Sequence, residues 1–197
     1  MFGVADLLGP LEIAAVVATV CIWARNQGIA SLYEAPGRAV GSWGLLTGLL
    51  SSVLMVMQVL LMARIPWVER AWGHDTLAHR HRWVGFASFW LLMVHVVAFV
   101  IVRLARDGVD PLTQLWALFV TESWRLFATV GTIMIIAVVV TSIRVARRRL
   151  RYESWHLLHL YAYLGMAFGF PHQLADGSDF HDPWAVAFWW FLYRSAP

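Results

Sequence analysis

Apolar runs of roughly 15 to 20 residues, nearly free of charge, recur along the whole 197-residue chain, and they decide most of what it can fold into. A run of that length matches the hydrocarbon core of a bilayer, where no water is present to satisfy backbone N–H and C=O groups. Such a segment must satisfy them internally, as a helix. The runs lie near Leu7 to Ala24, Gly44 to Ala63, Trp83 to Val102, Leu126 to Ile143, Trp155 to Phe170, and from Pro183 onward. They predict an all-α membrane protein, a six-transmembrane-helix bundle forming one domain over residues 1–197. With 60% hydrophobic and only 14% charged residues, one small soluble core could not hide the apolar surface, and no room is left for a separate soluble domain.

Every basic residue is Arg, fifteen in all, and they cluster beside the apolar runs. The connection after the second run carries Arg64, Arg70, Arg80 and Arg82, and the one after the fourth carries Arg144, Arg147, Arg148, Arg149 and Arg151. Both are expected on the cytoplasmic side, which puts the N-terminus inside and makes the third and fifth spans parallel. These clusters are topology signals and not a nucleic-acid surface. Cys21, the one cysteine, falls inside the first run, which excludes a disulfide framework and a thiolate cluster and predicts a packed structural thiol. The N-terminus lacks the basic region of a cleavable signal and is kept as structure. The last run, Pro183 to Pro197, rises only about 22 Å against a hydrocarbon core of about 30 Å. It either tucks in with a shielded end or belongs to a longer native protein.

Ionisable groups inside membrane spans are rare and usually functional. His81 and His95 stand fourteen residues apart in HRWVGFASFWLLMVH, and His159 and His172 thirteen apart in HLYAYLGMAFGFPH. On an ideal helix the first two fall within about 40° of one face and about 21 Å apart along the axis. Two parallel helices would therefore offer two levels, with His81 facing His159 and His95 facing His172. Each pair suits one iron clamped from opposite sides by neutral imidazoles. No carboxylate or thiolate stands at these depths to favour zinc or a di-iron centre. Flat apolar walls from Phe86, Phe89, Trp90, Tyr163 and Phe168 suit a porphyrin, although for any single one of them lipid contact or core packing is the favoured reading.

The thirteen-residue spacing turns His172 about 140° away from the face of His159. Pro171, with Gly165 and Gly169 nearby, offers a remedy by distorting or ending the helix just before it. The other choices, His156 with His172 and His79 with His95, miss a common face by about 160°. His74, His79, His156 and His181 read as interfacial, solvated residues. Arg80, Arg82 and Arg148 could pair with haem propionates, but a positive-inside topology alone explains them and is the favoured reading.

The segments HRHRWVGFASFWLLMVH, TSIRVARRRLRYESWHLLHLYAYL and FPHQLADGSDF resemble the ferric reductase-like transmembrane domain of the NADPH oxidase and ferric reductase superfamily. The likeness is strongest to bacterial, actinobacterial-looking members and runs from about residue 43 to 194. It implies six helices in the bacterial cytoplasmic membrane holding two stacked b-type haems, with His81, His95, His159 and His172 as iron ligands. It also implies electron flow from cytosolic NAD(P)H through FAD and the two haems to an acceptor outside, oxygen or a ferric chelate. No glycine-rich strand-to-helix fingerprint is present, so FAD and NAD(P)H would enter only through a missing dehydrogenase domain or a partner subunit. Without that partner the chain is expected to be inactive with NAD(P)H.

With two histidines on each iron, electron transfer is outer-sphere, and no catalytic acid, base or nucleophile is assigned. A second reading keeps the haems in a stand-alone electron-transfer subunit, fed by quinol or a flavoprotein and serving a periplasmic reductase, as in the membrane subunits of methionine sulfoxide reductases. A third, a haem-free transporter or proton channel using histidine relays, leaves the paired spacing unexplained.

Overall fold

A computed structural model describes residues 5–107, 110, 112–113, 116, 123–176 and 183–195, and among these every regular element is a helix. The helices are α1 (Ala5–Arg25), α2 (Gly28–Glu34), α3 (Pro36–Met62), α4 (Pro66–Trp72), α5 (His74–Asp107), α6 (Ser123–Ser142), α7 (Arg144–Arg147), α8 (Tyr152–Asp176) and α9 (Pro183–Ser195). They form two compact units, one of Met1–Arg106 with His181–Pro197 and one of Asp107–Phe180.

Helices α3, α5 and α6 are long and apolar enough to cross a membrane, and α1 with α2 makes a fourth if that pair, bent by 52°, is one span. Against the six expected spans, three to four qualify by length and composition among the described residues. Helix α8, at 25 residues, rises about 37 Å and has the length. Its sequence is diluted by Tyr, Trp, Gly and three histidines, and it holds no 18-residue stretch as apolar as those of α3, α5 and α6. Helix α9, with 13 residues, rises about 20 Å and falls short of the hydrocarbon thickness.

In the first unit a knot of polar groups ties α1, α2 and α3 together. The buried Trp23 donates its indole N–H to Ser42 O (3.1 Å), and Ser42 Oγ donates to Gly28 O (2.7 Å). Gly28 is required here, because a Cβ at that position would lie 2.4 Å from the Trp23 ring. Gln27 turns the chain between α1 and α2 in the left-handed region, φ 66°. Helix α3 begins at Pro36, eight residues before the expected Gly44, because proline is pre-organised for the first helical position.

The buried stripe of α1 is Ala15, Thr19, Ile22 and Trp23, at the spacing of one helix face. Cys21 stands about 200° from Thr19 and is exposed, so the expectation of a packed thiol is corrected. The segment between α3 and α5, predicted as a connection, is helix α4. Its Val68 packs with Leu61 and Leu77, and Ile65, Trp72 and Val84 close around them.

In the second unit α6 and α8 run antiparallel with their backbones in close contact. Phe127 pairs with Phe168 at 5.7 Å between ring centroids. A Cβ on Gly131 would lie 2.5 Å from Gly165 O, and one on Gly165 3.1 Å from Gly131 O. Two facing glycines set this close approach, as is common where apolar helices pack in lipid.

Candidate functional site

Helix α5 carries His81 and His95, and both bond the same neighbour. His95 Nδ1 lies 2.8 Å from Gly44 O, and His81 Nδ1 lies 3.1 Å from Gln58 O, both acceptors belonging to α3. Midway between them Ser51 Oγ donates to Ser88 O at 2.8 Å. The rungs pair 44 with 95, 51 with 88 and 58 with 81, so each step of seven along α3 is a step of seven back along α5. That is antiparallel packing in a seven-residue register, which brings the same faces together every two turns. Small residues allow the close approach: Gly44, Gly48 and Ser51 on α3, Gly85, Ser88 and Ala98 on α5.

A backbone carbonyl can only accept. The proton of a neutral imidazole bonded to it must therefore sit on Nδ1, and the lone pair of the ring is then on Nε2. Both α5 histidines are in this way set in the tautomer that ligates a metal through Nε2, with the N–H···O=C support that metal-bound histidines usually have.

Helix α8 carries His159 and His172, both half-buried. His159 Nδ1 lies 3.2 Å from Ser142 Oγ at the end of α6. Its ring also stacks on Trp155 (5.2 Å between centroids, 28° between planes), and the Arg147 guanidinium lies 3.9 Å from the Trp155 ring on the other contact. Pro171 lies inside α8 and does not end it: the helix runs on to Asp176. His172 thus continues the same helix as His159.

The remaining predicted residues divide clearly. His74, His79 and His156 are exposed, while His181 lies outside the described residues. Phe86 and Trp90 are 58% and 52% exposed and form an edge-to-face pair on the side of α5 opposite Ser88. Tyr163 is also exposed, and Phe89 and Phe168 are half-buried. Arg80 is engaged within the protein: its guanidinium lies 3.8 Å from Glu12 Oε2 and 3.9 Å from the centre of the Trp72 ring. Arg82 lies 3.0 Å from His79 Nδ1, and Arg148 is exposed. Among the described residues no three His, Cys, Asp or Glu side chains gather as a metal cage.

Sequence reasoning missed the residues that receive the imidazoles: Gly44, Gly48, Gln58 and Ser142. The small-residue spacing of Gly41, Gly44 and Gly48 was the signal for α3, since it marks a face meant for close helix contact. Ser142 had no such signal.

Residues 47–170 match the family described as ferric reductase like transmembrane component. The matched stretch contains His81, His95 and His159 and stops two residues before His172. The chain is also similar to the haem-binding subunit MsrQ of protein-methionine-sulfoxide reductase from Rhodospirillum rubrum, 27% identical over 187 residues, which cover 90% of this chain and 81% of that one. No solved structure matches it.

Proposed function

Because the chain belongs to the ferric reductase-like transmembrane family, we propose that it carries electrons across a bilayer on two b-type haems, one held by His81 and His159 and the other by His95 and His172. The observation that carries this reading is the shared support of His81 and His95 by carbonyls of α3. Two half-buried imidazoles, about 21 Å apart along one helix, are each given the tautomer a metal ligand needs. Proton-relay histidines need the opposite property, an Nδ1 free to exchange its proton with a donor or acceptor.

When bound, haem supplies a one-electron iron couple whose potential depends on axial ligation, hydrogen bonding and burial. The chain's own part is to orient. The carbonyls of Gly44 and Gln58 hold the α5 rings, Ser142 and Trp155 hold the His159 ring, and apolar helix faces keep water from the span. Nothing in this arrangement demands a protonated side chain to act on a substrate, which fits a conductor rather than a catalytic pocket.

For the partner, the likeness to a haem-binding subunit of a reductase favours a subunit that hands its electrons to a separate reductase protein. The alternative, direct delivery to oxygen or a ferric chelate from a flavin dehydrogenase partner, uses the same conductor with a different acceptor. We place the N-terminus on the cytoplasmic side, following the arginine distribution.

Pyridine haemochrome quantification of the purified protein is expected to give two b-type haems per chain. A preparation that binds none after reconstitution with haemin overturns the reading. Anaerobic reduction followed by oxygen, ferric chelate, or a methionine-sulfoxide-reducing protein with its substrate then separates the acceptors by which one restores the oxidised spectrum.

A further inference from the structure

Helix α3 carries no histidine, yet it touches both histidines of α5, and the contact at His95 is the tighter. A Cβ placed on Gly48 would lie 2.4 Å from His95 Nδ1 and 2.8 Å from Cε1, far inside the distance two non-bonded heavy atoms tolerate. The imidazole therefore lies directly over the bare backbone of Gly48. One turn earlier, Gly44 accepts the Nδ1 hydrogen bond at 2.8 Å. On the remaining side the Phe99 ring stands 5.0 Å from the imidazole, tilted by 58°. Gly44 itself is hemmed in, since a Cβ there would lie 3.0 Å from Ala98 Cβ and from Phe99 Cε2. Gly41, on the same helix, has only Val102 Cγ2 within reach, at 3.9 Å.

We propose that Gly44 and Gly48 of α3 are positioning residues for His95: the Gly44 carbonyl sets which nitrogen carries the proton, and the missing side chain of Gly48 sets the plane of the ring. The imidazole is the movable partner in this contact, so a methyl group at 48 displaces the ring rather than the helix. Displacement removes the Gly44 bond and turns Nε2 away from its bound direction. The inference rests on His95 being an axial ligand for its functional meaning, but the steric claim stands on α3 and α5 alone.

The test is a double-mutant cycle with spectroscopy, on the full chain in detergent. Gly48→Ala is expected to weaken retention of one haem by about 10- to 100-fold, the range for loss of support around a metal ligand. The low-spin electron paramagnetic resonance signal of that haem should shift, while the other haem is unchanged. Gly41→Ala, the control, should leave both signals as they are. His95→Ala removes the ring that Gly48→Ala strikes. In that background Gly48→Ala should cost little or no thermal stability, although it lowers the melting temperature when His95 is present.

An equal loss of melting temperature in both backgrounds overturns the proposal, because it would make Gly48 a plain helix-packing residue. So does a Gly48→Ala protein with two normal haem signals. If the unmutated protein binds no haem, the proposed function fails, and the melting-temperature cycle still decides whether His95 lies on Gly48.

Discussion

Two helices carry the histidines, and their neighbours hold them by different chemistry. On α5 the rings of His81 and His95 meet backbone carbonyls of α3. On α8 the ring of His159 meets the hydroxyl of Ser142 and the face of Trp155. A carbonyl accepts and cannot donate, so α3 dictates the tautomer whatever else is bound. A hydroxyl rotates and does either, so Ser142 follows the ring instead of commanding it. The tautomer of the α5 histidines is therefore fixed by α3, whereas Ser142 accommodates either tautomer of His159.

The largest expected effect that bears on this contrast is loss of a ligand. His95→Ala and His159→Ala are each expected to lower the haem content from two to one per chain by pyridine haemochrome, and the haem that is lost should differ between the two. Loss of the same haem in both variants breaks the pairing of His81 with His159 and of His95 with His172.

Next comes the packing that presents the rings. Gly131→Ala drives a methyl group toward Gly165 O, whereas nothing lies within 4 Å of a Cβ on Gly169. Overpacking of this kind typically costs about 1 to 3 kcal/mol. A clear drop in melting temperature is expected for Gly131→Ala, with Gly169→Ala close to the unmutated protein apart from the ordinary gain in helix propensity.

The smallest effect sharpens the comparison most. Ser142→Ala deletes the holder of His159, at about 0.5 to 1.5 kcal/mol for one hydrogen bond, and titration with haemin should show a matching loss of affinity at one site. Gln58→Met changes the side chain of the residue that holds His81 but keeps its carbonyl, so haem affinity there should be unchanged. If Gln58→Met weakens binding as much as Ser142→Ala, the side chain of Gln58, not its backbone, supports His81.

What could be read from the sequence was whatever repeats along a single helix. The fourteen-residue spacing of His81 and His95 is a property of α5 alone, so elementary geometry reached it. Their supports on α3 are peptide carbonyls, which every residue has, and no side-chain chemistry marks Gly44 or Gln58 as different from its neighbours. The spacing of Gly41, Gly44 and Gly48 was visible, but it announces contact without naming the partner. Cys21 was misplaced because hydropathy shows that a segment is apolar and not which side of it faces inward. The short helices α2 and α4 were read as connections because seven residues, with charges among them, carry no apolar run. Helix α8 shows the converse: its Tyr, Trp, His and Gly residues dilute the signal by which a membrane helix is recognised.

Helix α5 has 34 residues and so rises about 51 Å, while a hydrocarbon core is about 30 Å thick. Along the membrane normal about fourteen residues would stand outside the core, and tilting would immerse part of them. Its opening stretch, HDTLAHRHR, is the polar end, with His81 in its third turn. If His81 ligates a haem as proposed, a water-soluble redox protein docking against that end would reach it without entering the oil, and the overlong helix would shorten the last gap an electron has to jump.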